Sequence, residues 1–581
     1  MPTPWSQAYP PQPLHDYAFV ADGERGALIG PRGEIAWMCA PRWDSAPVFG
    51  ALLGEGLWAI TPIGDRFVWG GYYEEGTLIW RNRWVTTGGL LECREALRRP
   101  GDRDTAVILR QIIGHDGECR VRVVLDPRLG GTGPGLSDHS IDDGVWSAAL
   151  GDSRIRLSGL PDARIEGSAL VAELDVPAGR TVDLVLEVAS GTVTGRPPVP
   201  EPSWRSTEQA WREDVPAADG LWARRDVRQA CAVLAGMTSA AGGMVAAATR
   251  SLPERAERGR DYDYRYAWLR DQAMVGQAMA TLGPHRLMVG AVDFVAARLL
   301  EHGVDARPAY AVDGTAVPSQ RRGDLPGYPG GVDHCGNDAG GQFQLDVFGE
   351  ALHLFAAAAD HGPLSRDTWR AAEAAVAAIG AAWQRPDAGI WELEERRWTH
   401  SRQILVSGLE RIAAFAPRRQ ADQWRVLAER IERDLHEHFR HPSGRWQRAA
   451  DDPATDSALL VPITRMRRDP ADDAAARATV DAILDELSAE EFCYRFRHEG
   501  ADDLEEAEGA FVLSGFHMAM ALERLGEHRL AARWFERNRA ACGTPGLFTE
   551  EYDVAQRQQR GNLPQAFVHG ALIEASALLS R

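Results

Sequence analysis

The 581-residue sequence has no run of about 18 apolar residues, the length a helix needs to cross a bilayer core, so no segment is expected to span a membrane. Basic residues are in deficit: 64 Lys and Arg stand against 83 Asp and Glu, a formal net charge of −19. That balance argues against a nucleic-acid partner, which needs a clustered basic surface, and the pair Arg418-Arg419 is too short to make one. Cysteine is sparse and scattered. Cys39, Cys93, Cys119, Cys231, Cys335, Cys493 and Cys542 form an odd set with no CxxC pair, the pattern of free thiols in a reducing compartment. There is no HExxH and no clustered His/Cys set, so neither a metal nor another cofactor is expected. The stretch Met1-Pro2-Thr3-Pro4-Trp5-Ser6-Gln7 lacks the basic-then-apolar order of a secretory signal, and a cytoplasmic location is expected.

What is present is a globular composition, 44% hydrophobic and 25% charged, in a chain too long for one ordinary core. Residues 105–113, 119–125 and 181–188 are short β-branched runs, with His115-Asp116-Gly117 and Pro127-Arg128-Leu129-Gly130-Gly131 as turn signals between them. Residues 1–195 are therefore expected to form an antiparallel β-sandwich. Gly195-Arg196-Pro197-Pro198-Val199-Pro200-Glu201-Pro202 carries four prolines in eight residues and marks a stiff linker. Linker and linker helix are placed at 196–224. From 225 to 581 about a dozen alanine-rich segments show helical spacing, as in 370–383 and 508–525. Such helices stack as an open solenoid or close as a toroid; no repeat period is visible, which weighs against the solenoid.

Aromatic residues gather in one place. Three of eleven tyrosines and one of nineteen tryptophans fall in Tyr262-Asp263-Tyr264-Arg265-Tyr266-Ala267-Trp268, followed by Leu269-Arg270-Asp271. Ring faces interleaved with planar charged groups suit a sugar pocket, and they equally suit a buried aromatic cluster with salt-bridged helix ends. Two glutamate motifs lie far downstream, Gly389-Ile390-Trp391-Glu392 and Glu550-Glu551-Tyr552-Asp553. Glycosidic cleavage needs one carboxyl that donates a proton and one that stays ionised. Ile390 and Trp391 would disfavour a charge on Glu392, which suits the acid, and the more polar loop of Glu550 suits the base. Neither motif is specific alone.

Taken in order, these pieces resemble glycoside hydrolase family 15, the glucoamylases, glucodextranases and prokaryotic trehalases. The resemblance begins at Asp16-Tyr17-Ala18 and Gly33-Glu34-Ile35-Ala36-Trp37. It passes through Ser251-Leu252-Pro253-Glu254, Trp268-Leu269-Arg270-Asp271 and Leu325-Pro326-Gly327-Tyr328 to Gly561-Asn562-Leu563-Pro564-Gln565-Ala566-Phe567. It implies a β-sandwich followed by an (α/α)6 barrel, and an inverting exo-acting α-glucoside hydrolase releasing β-glucose from trehalose, isomaltose or a maltooligosaccharide. By the same resemblance Glu392 is the general acid and Glu550 the general base, about 6.5–9.5 Å apart if a water is to fit between them. Tyr264, Trp268, Arg270, Asp271, Trp391 and Glu551 are implied to bind the sugar.

Three stretches depart from the family pattern: Asp261-Tyr262, Leu393-Glu394-Glu395 after the candidate acid, and His334 within Val332-Asp333-His334-Cys335. They are expected to border the leaving-group side of the pocket. His400, His517 and His569 have no partner at ligand spacing and are expected in the core. The acidic run Asp502-Asp503-Leu504-Glu505-Glu506 is expected to be a solvated helix start. Two other readings stay open: a sugar sensor without turnover, and a phosphorylase on the same barrel. A small carbohydrate is the expected partner, and homo-oligomers are compatible with the sequence.

Overall fold

A computed structural model describes residues 4–64, 66–193, 195–465, 473–498, 504, 506 and 508–581. After the short helix α1 (Pro4–Ala8), fifteen antiparallel strands lie between Ala18 and Ser190. The strand Thr105–Asp126 joins their two layers. Its first half pairs with Gly89–Leu97 and Thr181–Ser190, and its second half with Leu57–Pro62 and Ala169–Pro177. His115-Asp116-Gly117 is thus not the turn expected from sequence. Gly117 (φ 67°) faces Gly89 and the ladder register shifts between Leu90 and Leu91, so an irregularity bends the strand without ending it. Only glycine fits there, because a Cβ on Gly117 would stand 2.0 Å from the carbonyl oxygen of Gly88.

The sandwich core gathers Val20, Ile35, Trp58, Trp84, Ile108 and Leu186 from both layers. On the strand Ala18–Ala21, Ala18 and Val20 face that core, while Phe19 and Ala21 join the apolar cluster of the helical domain. Both faces are buried, so the polar alternation of a one-sided sheet is missing from these strands. Helix α2 (Pro200–Asp214) is the wedge between the domains. Its Trp204 and Trp211 are buried under the guanidiniums of Arg94 and Arg99, 4.3 and 4.0 Å from the ring centres.

The helical domain alternates outer and inner helices. The outer ones are α3 (Arg224–Met237), α5 (Arg286–His302), α7 (Arg366–Ala382), α9 (Arg418–His438), α11 (Ala474–Glu486) and α13 (His528–Arg539). The inner ones are α4 (Leu269–Ala280), α6 (Asp346–Ala359), α8 (Thr399–Ala413), α10 (Leu460–Arg465), α12 (Val512–Arg524) and α14 (Ala566–Leu579). Outer helices bury one stripe; on α9 it is Ala421, Trp424, Ala428, Ile431 and Leu435. Inner helices are covered all round, and every residue of α4 is buried. Each inner helix packs on the next, and α14 returns to α4. This last contact closes the ring as an (α/α)6 barrel and excludes the open solenoid. Inner helices approach closely at glycine: a Cβ on Gly408 of α8 would lie 2.7 Å from the Gly349 carbonyl oxygen of α6.

The connections are unequal. Inner-to-outer links such as 281–285, 360–365, 414–417 and 525–527 are short, whereas outer-to-inner links such as 238–268, 303–345, 487–511 and 540–565 are long. The long loops therefore collect at one end, over the N-termini of the inner helices, where helix dipoles favour negative charge.

Candidate active site

The long loops enclose a cavity of about 60 Å³ on the barrel axis, room for several water molecules. Tyr264, Trp268, Arg270, Asp271, Trp391, Glu392 and Glu550 all line it. Residues 286 positions apart in sequence are brought together, since the Tyr264 hydroxyl lies 3.4 Å from Glu550 Oε1.

One wall is built by the entry to α4. Ala267-Trp268 pairs with Ala309-Tyr310, and Trp268 is the residue that caps α4, so Arg270 and Asp271 fall in its first turn and line the cavity. Burial pushes Asp271 up to about 6 despite Arg270 beside it. Its Oδ2 and the Nε of Arg270 are buried, 3.8 Å apart and without hydrogen-bond partners. The loop before α4 is anchored from below. Arg265 forms a buried pair with Asp263 and donates to the carbonyl oxygens of Trp43 and Ser45 in the β-domain, at 3.2 and 2.9 Å. Tyr264 stands edge-on to Trp268 and stacks on Tyr262, with centroids 5.6 and 6.1 Å apart.

Glu392 holds a left-handed backbone, φ 59°, just after Gly389 at φ 67°. A glutamate in that region is strained, and such strain collects at functional sites. Two donors converge on its Oε1, Trp268 Nε1 at 2.6 Å and Gln344 Nε2 at 3.2 Å, and the Arg270 guanidinium pairs with the same oxygen at 3.5 Å. The apolar setting expected from Ile390 and Trp391 is not what the carboxyl meets. Its surroundings are polar and its side chain is 25% exposed. Trp391 turns its indole N–H to Asp456 at 2.8 Å and packs edge-on to Phe511.

Glu550 has the buried position instead, 4% exposed. Burial and the neighbouring carboxylate of Glu254 hold its carboxyl well above the usual range, against the opposing pull of Arg495. The polar loop expected around it is thus a packed interior. Oε1 accepts from Tyr264, and Oε2 is buried with no partner. Glu551, next along the chain and the first residue of the strand Glu551–Asp553, does not line the cavity. Its carboxylate accepts from Gly509 N at 2.8 Å and Arg495 Nη2 at 3.0 Å.

Among the described residues, one carboxylate group has the spacing of a metal centre: Glu254, Glu508 and Glu551, with oxygens within 4.8 Å of one another. Arg495 Nη2 bonds an oxygen of each, so a guanidinium nitrogen already stands at their meeting point. Arg495 also lines the cavity, with Phe511, Gln565 and Phe567. Gln565 and Phe567 belong to the motif at 561–567 and Phe511 to the helical stretch 508–525, whereas Arg495 has no local signal in the sequence.

The departures from the family pattern lie outside this cavity's wall. Tyr262 backs Tyr264, and Asp261 is buried, pushed up to about 6 by desolvation. His334 sits on a two-residue strand opposite Arg322. Glu395 borders a second cleft with Gln342, whose amide donates to the Glu392 carbonyl oxygen at 3.5 Å. Burial keeps His400, His517 and His569 neutral, with pKa values lowered to about 4, 3 and 3. All seven cysteines are free. The acidic run at 502–506 lies, but for Leu504 and Glu506, outside the described residues.

Residues 227–577 match the model of glycosyl hydrolases family 15, and residues 3–153 match that of a trehalase-like N-terminal domain. A trehalase of Mycobacterium tuberculosis is 31% identical, the alignment covering 97% of this chain and 89% of that protein. Trehalase 1 of Sulfolobus acidocaldarius is 27% identical, over 96% of this chain and 97% of its own. A bacterial glucoamylase solved with acarbose has the same fold, at a TM-score of 0.68 and 12% identity, covering 98% of this chain and 94% of its own.

Proposed function

The chain belongs to glycosyl hydrolase family 15, a glycoside hydrolase, and from that premise we propose that it hydrolyses trehalose with inversion. Glu392 is the general acid and Glu550 the general base in this reading. The observation that carries it is a set of buried polar atoms without hydrogen bonds on three residues that line the cavity: Arg270 Nε and Asp271 Oδ2, an ion pair stretched to 3.8 Å, and Glu550 Oε2. Leaving such atoms unpaired is costly, and a sugar's hydroxyls together with one water offer the matching donors and acceptors. Trp268, Tyr264 and Trp391 supply apolar faces for the glucose ring, and Arg270 and Asp271 take its distal hydroxyls.

The roles rest on the family motif and on the oxygens left free, and the raised proton affinity of Glu550 sets the pH below which it cannot act as base. Two hydrogen bonds and the Arg270 ion pair occupy Glu392 Oε1, which leaves Oε2 to carry the proton to the glycosidic oxygen. On Glu550, Tyr264 orients Oε1, and the bare Oε2 accepts a proton from water attacking the anomeric carbon on the opposite face. Attack and departure on opposite faces invert that carbon. The glucose bound in the deep site leaves as the β-anomer.

Trehalose is favoured over isomaltose and maltooligosaccharides by trehalase relatives that align along nearly the whole of this chain. Glu392→Gln and Glu550→Gln test the roles together. Each is expected to lower kcat by about a thousandfold or more while the protein stays folded. A variant of either that keeps near-native turnover removes that residue from the chemistry. Trehalose binding without turnover in the unaltered protein, unchanged by Glu392→Gln, would favour a sensor.

A further inference from the structure

Resting on the assignment of Glu550 as the base, we infer that Glu254 is its positioning partner: the two carboxyls hold one proton between them, and that pair sets the lower pH limit of activity.

Both side chains are buried, 2% and 4% exposed, and one hydroxyl serves both. Tyr264 OH lies 3.4 Å from Glu254 Oε1 and 3.4 Å from Glu550 Oε1, so its single proton satisfies one carboxyl at a time. The pair closes around Gly561: a Cβ there would lie 3.7 Å from Glu254 Cγ and 3.5 Å from Glu550 Cβ. Two carboxylates at such range do not both stay ionised away from water.

The cations nearby do not cancel the excess. Arg495 is divided among Glu254, Glu508 and Glu551, and Arg260 between Glu254 and Glu508. His498 faces Glu508 at 3.0 Å. Arg255 and Arg560 are taken by Asp553, at 3.0 and 3.5 Å. Asp261 and Tyr262 complete the surroundings of Glu254, and Glu392 faces Tyr264 from across the cavity. Four buried glutamates thus share two guanidiniums and an imidazole. Burial and Glu254 raise both Glu550 and Glu551, and of the two Glu551 has both oxygens bonded while Glu550 has one bare, free to carry the proton. The sign is fixed by the like charge: Glu254 raises the proton affinity of Glu550, and a neutral residue at 254 lowers it.

The test is the pH profile of kcat at saturating p-nitrophenyl α-glucoside, whose good leaving group relieves the need for the acid and whose saturation removes the pH dependence that Asp271 gives KM. In Glu254→Gln the midpoint of the acidic limb is expected to fall by about one pH unit or more, and in Glu254→Asp to return toward the native value. An unmoved limb with a uniformly lower rate would make Glu254 a mere scaffold for Arg260 and Arg495 and overturn the inference. Glu550→Gln separates the two levels. If it stays active the base assignment itself fails; if it is inactive while the Glu254→Gln limb stays put, only the shared proton fails. Should Glu254→Gln not fold, the infrared difference between the native protein and Glu550→Gln at neutral pH decides. Loss of a neutral-carboxyl carbonyl band supports the pair, and no such loss overturns it.

Discussion

The indole Nε1 of Trp268 donates to Glu392 Oε1 at 2.6 Å, joining the cap of the first inner helix to the candidate acid 124 positions away. The contact fixes which carboxyl oxygen remains free, so the wall of the sugar pocket also orients the proton donor.

Trp268→Phe keeps the ring face and removes that donor. A hydrogen bond to a charged group contributes about 1.5–3 kcal/mol, so kcat should fall about ten- to a hundredfold with a smaller change in KM. Steady-state kinetics on trehalose decides. An unchanged kcat would mean that Gln344 and Arg270 hold Glu392 unaided.

Asp271 titrates near 6 because it is buried, and it accepts sugar hydroxyls best when ionised. As pH falls through about 6, KM should rise while kcat at saturating substrate changes less. Asp271→Asn should show a raised KM at every pH and lose that dependence. A KM in the native protein that stays flat from neutral to acidic pH would contradict the role.

Stability carries its own pH signature through Glu34, in the β-domain. Burial raises its carboxyl from 4.5 to about 7, and its Oε1 has no partner. The folded chain keeps that proton where the unfolded chain has lost it, so stability falls as pH rises from 4.5 to about 7 and is level above. Glu34→Gln should remove this slope and stabilise the protein above neutrality, by on the order of 3 kcal/mol at most. Denaturant midpoints at several pH values measure it; an unaltered slope would assign the pH dependence to other groups.

How far the sequence led can be judged residue by residue. The stripe of α9 repeats every three or four residues and reads directly as a helix, whereas α4 and α14 are buried all round and show no stripe. Closure was not legible, because it is the contact of α14 with α4 across nearly the whole domain. The motif marks Glu392, but not its surroundings. Ile390 and Trp391 are its neighbours in sequence, but its carboxyl meets Trp268, Gln344 and Arg270 from other loops. Glu550 is the inverse case: its acidic neighbours suggest solvent, and the fold supplies burial. Arg495 had no signal at all, since its partner Glu254 is 241 positions away.

The central claim is inversion at trehalose, and proton NMR of the first minutes of hydrolysis tests it most directly. Water attack inverts one glucose to the β-anomer, and the leaving glucose keeps its α-configuration. Equal initial amounts of α- and β-glucose, drifting only later by mutarotation, are the predicted result. α-Glucose alone at early times would mean retention, and Glu550 could not then be a water-activating base opposite Glu392.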